Sequence, residues 1–145
     1  MAGFRLQRVL DYRRQHEEDC EHALHQVQLL HQQEAARLAA LQTEAQAQEE
    51  HLEQARGLAL SPAELQGWQR YHQVLTQRIA AQQEIVTQAA QVVTKQRQQL
   101  LVARQETKVI EKLRDKVQQR ALLELARRAQ QLLDELALMR SRHEL

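Results

Sequence analysis

The chain has 145 residues, 43% of them hydrophobic and only 3% aromatic, with a formal net charge of +1. One Pro, three Gly and four aromatic residues (Phe4, Tyr12, Trp68 and Tyr71) supply too few turn formers and large core side chains for a mixed α/β domain. Ala, Leu, Gln, Glu and Arg, all strong helix formers, dominate instead, and the near-neutral charge gives no whole-chain attraction to a polyanion.

The first predicted element is a helix from about Phe4 to Arg56. Stepping alternately four and three residues from Leu6 gives Leu10, Arg13, Glu17, Cys20, Leu24, Val27, His31, Glu34, Leu38, Leu41, Ala45, Gln48, Leu52 and Ala55 without a slip of register. An apolar line held at that spacing favours a left-handed coiled coil over an ordinary surface helix. Arg13, Glu17, His31, Glu34 and Gln48 interrupt it. They either fix the register of the pairing or are solvated flank residues of an imperfect repeat. The single Cys20 falls on the seam as a small packed residue. It leaves no internal disulfide, which fits a reducing compartment.

The turn comes next, at about 57–61. Gly57 suits the left-handed position that ends many helices, and Pro62 fits the first turn of a new one. Ser61 becomes the N-cap, with Glu64 three residues on completing a capping box and Leu60 and Leu65 placed for a hydrophobic staple. No comparable breaker occurs elsewhere. The expected architecture is therefore all-α, a long antiparallel two-helix coiled-coil hairpin over 1–145.

The second helix is expected over about 62–143. The same walk gives Leu65, Trp68, His72, Leu75, Ile79, Gln82, Val86, Ala89, Val93, Gln96, Leu100, Ala103, Thr107, Ile110, Arg114 and Val117. The apolar line then moves over by one residue and continues as Leu122, Leu125, Ala129, Leu132, Leu136 and Met139. At 1.5 Å per residue the first arm would span about 80 Å and the second about 125 Å. Folding back about Ala59 sets Phe4 opposite roughly Arg114, so the hairpin is expected to carry an unpaired C-terminal helical extension. A lone amphipathic helix gains little in water. The extension is a docking helix, or else it frays or self-associates through its apolar stripe. Tyr71 and Val74 lie off the seam with Arg70 and Arg78 nearby, a second candidate contact patch.

Charge follows the arms. Residues 58–145 carry fourteen basic and nine acidic groups, and Arg5, Arg8, Arg13 and Arg14 fall beside the basic stretch from Lys95 to Arg128 on hairpin closure. Interleaved acids (Glu106, Glu111, Asp115) and missing aromatics argue against nucleic acid. There is no Gly-rich phosphate loop and no nucleophile elbow, and a helix pair offers little concavity, so no catalytic residue, cofactor or enzyme activity is expected. Glu18, His22 and His25 share a helical face, but without burial they are not expected to hold a metal. No stretch approaches the roughly 18 apolar residues of a membrane span, and no cleavable secretion signal is present. A soluble cytoplasmic protein without direct membrane insertion is expected.

The opening Phe4-Arg5-Leu6-Gln7-Arg8-Val9-Leu10-Asp11-Tyr12-Arg13, the mid-chain Trp68-Gln69-Arg70-Tyr71 followed by Leu75 and Ile79, and the ending Leu133-Asp134-Glu135-Leu136-Ala137-Leu138-Met139-Arg140 together resemble the FliJ family of flagellar type III export proteins. The order and spacing of these segments carry the resemblance over nearly the whole chain. It implies a stalk like that of the rotary ATPase γ subunit, bound in the hexameric export ATPase and stimulating it. It also implies contacts with the cytoplasmic domain of the export gate and with substrate chaperones, at the periphery of the inner membrane. By the same resemblance Phe4, Leu6, Arg8, Arg13, Leu122, Leu125, Arg127, Arg128, Leu132 and Leu136 would face the ATPase, and Trp68, Tyr71, Val74 and Arg78 the gate. The stalk protein of a virulence type III system and a generic coiled-coil scaffold are the alternatives.

Overall fold

A computed structural model describes residues 5–58 and 60–144. Two helices account for nearly all of them, α1 over Gln7–Arg56 and α2 over Pro62–His143, and the described residues contain no strand. The seam explains why these sequences are helical. Every step of the walk from Leu6 to Ala55 is buried or half-buried, while nearly all the residues between them are exposed. On α2 the walk holds from Leu75 to Arg114, with Leu75, Val93, Leu100, Ala103 and Thr107 buried. It fails at its margins: Leu65, His72 and Val117 are exposed.

The packing divides into two units, one holding Asp19–Leu101 and the other combining the chain up to Glu18 with everything from Val102 onward. In the first, Gln82 meets Glu34 and Tyr71 meets Glu44, so sequence separation shrinks from 48 to 27 toward the turn. That is antiparallel pairing. In the second, Arg14 meets Glu111 and Glu17 meets Arg104, again antiparallel. Glu34 with Gln82, Glu44 with Tyr71 and Glu17 with Arg104 lie within about one turn of the register expected for a fold-back about Ala59, and Arg14 with Glu111 within about two. The single hydroxyl hydrogen of buried Thr107 is donated to the Ala103 carbonyl at 3.0 Å, with the Arg13 carbonyl a second acceptor within reach at 3.4 Å, so the hydroxyl costs the seam little. Arg13, Glu17 and Glu34 all reach across to α2, which resolves these polar seam positions as interhelix contacts.

The turn forms largely as expected, with one correction. The Glu64 amide donates to Ser61 Oγ at 3.2 Å and the Ser61 amide to Glu64 Oε2 at 3.4 Å, a closed capping box. Gly57, however, is not left-handed, since no glycine among the described residues has a positive φ. The end of α1 tightens instead through a bond from the Leu58 amide to the Ala55 carbonyl, 3.0 Å. Such a tightened last turn satisfies a terminal carbonyl without the inverted backbone that only glycine adopts cheaply.

Candidate functional site

The apolar line changes register past Val117, and the packing ends close by, at Arg114. Every described residue from 115 to 144 is exposed, yet α2 stays helical to His143. Leu122, Leu125, Leu132 and Leu136 retain 61–67% of their surface. Exposed leucines repeating along one helix are unusual, because isolated exposed apolar residues are common but continuous stripes mark contacts. Arg128 pairs with Glu124 four residues earlier at 3.1 Å, and the Gln130 amide donates to Asp134 at 3.1 Å. Both bonds stay within the helix and leave the apolar line uncovered. Arg127 is also exposed.

The start of α1 belongs to the same unit but not to the same cluster. Leu6 is half-buried on the seam and Arg8 is exposed. The Arg13 guanidinium donates to Glu106 at 2.5 Å, Arg14 lies 3.4 Å from Glu111, and Arg104 lies 3.6 Å from Glu17. Acidic residues of the basic stretch are thus engaged by arginines from the opposite helix. Each such partly exposed pair contributes about 0–1 kcal/mol, so together they set register more than stability. Phe4 lies outside the described residues.

In the other unit Trp68 is half-buried, with its ring 5.4 Å from that of His51 at an interplanar angle of 53°. Tyr71, Val74 and Arg78 fall at i, i+3 and i+7 on one exposed face. The Tyr71 hydroxyl donates to the Glu44 carboxylate, and that bond holds the phenol above its ordinary pKa, with smaller contributions from desolvation and the carboxylate's charge. The nearby Arg78 charge opposes the shift. Periodicity alone did not name Glu44 and His51 as the partners of Tyr71 and Trp68. The fold-back register was the signal that could have found them. An open groove beside the turn is lined by Glu49, Leu52, Glu53, Arg56, Trp68 and His72 among others.

Among the described residues no group of three His, Cys, Asp or Glu could hold a metal ion, and no helix is long and apolar enough to cross a membrane. What remains is a pair of long helices whose distinctive surfaces are apolar and charged faces rather than a cleft. The family model for the flagellar FliJ protein matches residues 1–145. The chain belongs to the FliJ family. No curated protein and no solved structure matches it. FliJ proteins are components of flagellar type III export.

Proposed function

We propose that this FliJ protein is a non-enzymatic stalk that binds and stimulates the hexameric flagellar export ATPase and links it to the export gate and to substrate chaperones. The extension of α2 carries this reading. A 50-residue α1 cannot cover an 82-residue α2, and the uncovered part keeps Leu122, Leu125, Leu132 and Leu136 exposed with Arg127 and Arg128 beside them. A contiguous exposed apolar stripe marks a contact surface, and arginine is enriched among the residues that anchor such contacts. In the proposed complex the ring grips this stripe together with Leu6, Arg8 and Arg13 of the same unit, and Phe4 is proposed to join them.

The exposed face of Trp68, Tyr71, Val74 and Arg78 is the proposed gate contact. Attachment to the inner-membrane export apparatus would follow from these protein contacts, since no helix here is suited to insertion. Truncation after Val117 tests the stalk reading. The shortened protein should remain helical by circular dichroism while losing its stimulation of ATP hydrolysis by purified export ATPase. Undiminished stimulation would overturn the reading.

A further inference from the structure

The C-terminal extension of α2 carries a pattern that matches itself when turned around. Leu122, Leu125, Ala129, Leu132, Leu136 and Met139 step by three and four residues, and all are exposed. A second copy laid antiparallel sets Leu122 against Met139, Leu125 against Leu136 and Ala129 against Leu132, each layer occurring twice about a two-fold axis. In the two central layers a small side chain meets a large one. A parallel pairing would instead set Ala129 on Ala129 and leave a gap, which close-packed contacts do not tolerate well.

The flanks decide the orientation further. Ala129 and Leu136 are preceded by Arg128 and Glu135, and in an antiparallel pair these two flanking residues face each other across the axis, twice. On the other flank Ala126 faces Leu133, also twice, widening the apolar strip. Among the described residues Arg128 is held by the exposed Glu124 of its own helix, 3.1 Å away, and the five N–H donors of its guanidinium leave room for a second carboxylate. A contact of this length buries on the order of 1,000 Å², near the lower limit for a specific interface. The helix is already formed as a continuation of α2, so association does not bear the cost of nucleating it.

We infer that the extension, residues 118–143, is a self-docking surface through which two copies of this chain form an antiparallel dimer, with Arg128 of each copy facing Glu135 of the other. The dimer covers the face left bare by α1, and it does so with the protein alone, whatever that face binds in the cell.

Sedimentation equilibrium of the full chain over roughly 1–100 μM measures it. The wild type should show a monomer–dimer equilibrium that disappears on truncation after Val117. Arg128→Glu and Glu135→Arg should each weaken the dimer about tenfold, because two attractions become two repulsions, and the double swap should restore it. Circular dichroism of each variant reports that the helices persist. A monomer throughout that range would overturn the inference. So would a dimer insensitive to either swap, or one that Glu135→Arg breaks and Arg128→Glu does not rescue; the last result would indicate a parallel pair with Glu135 facing Arg140.

Discussion

Gln82 donates its side-chain amide twice to Glu34, to Oε2 at 2.6 Å and to the backbone carbonyl at 2.9 Å. Both residues lie on the seam, and Glu34 is further held by Arg37 at 3.0 Å. A polar pair in an apolar seam specifies one alignment of the helices, because sliding either helix would take from the partly buried Glu34 carboxylate the donor on its Oε2. Gln82→Ala should therefore lower stability by about 1–2 kcal/mol, read as a lower urea midpoint by circular dichroism. Replacing both residues with leucine should restore or exceed wild-type stability, as replacements of buried polar pairs often do. A double variant less stable than Gln82→Ala would show that the pair contributes net stability rather than alignment.

Tyr71 supplies a pH-dependent prediction. Its folded pKa is raised, first through the hydrogen bond to Glu44, so the associated stability is fully present below the unfolded value of about 10 and is lost as pH rises through the folded value. In a Tyr12→Phe background, tyrosinate absorbance should report Tyr71 alone. Glu44→Gln should shift its titration to lower pH. An unmoved titration would mean that the Glu44 bond is not kept in solution.

Gly57 should be replaceable. Its φ is not positive, and an added Cβ would meet only the Gln54 carbonyl oxygen at 3.6 Å, an ordinary contact. Gly57→Ala should then be neutral or stabilise by up to about 1 kcal/mol through loss of unfolded-chain freedom. Marked destabilisation in a thermal melt would place the residue in the left-handed region after all.

Ser61→Ala removes the acceptor for the Glu64 amide, which sits 3.2 Å from Ser61 Oγ. A loss of about 1 kcal/mol is expected. Ser61→Asp should retain most of that stability, since its carboxylate accepts the same bond at the positive end of α2. Equal losses in both variants would count against the cap.

Much of this molecule could be read from residue order. The step from Leu6 to Ala55 predicts which side of α1 is covered, and every position on it is at least half-buried. The capping box at Ser61 and Glu64 was equally legible, because its chemistry lies within four consecutive residues. Unequal arms foretold an exposed stretch, and the described residues from 115 to 144 are exposed throughout. The extension and the patch at Tyr71 and Val74 were legible as candidate contacts from their uncovered apolar residues, whereas which partner each would meet came only from the family's motifs.

Other features needed the two helices in place. Periodicity marks a residue as facing inward but does not say what it meets, so Glu34 with Gln82, Glu44 with Tyr71 and His51 with Trp68 emerge only from the packed register. The same limit hid the margins of the seam: Leu65, His72 and Val117 keep the right spacing, yet packing fails to cover them. Gly57 is the sharpest case. Its residue type allows a left-handed end to α1, whereas the backbone closes through a bond from the Leu58 amide to the Ala55 carbonyl instead. Order along the chain determined which residues form helices and which face each helix covers. Only the packing of one helix on the other decided partners and limits, because those depend on distances between residues far apart in sequence.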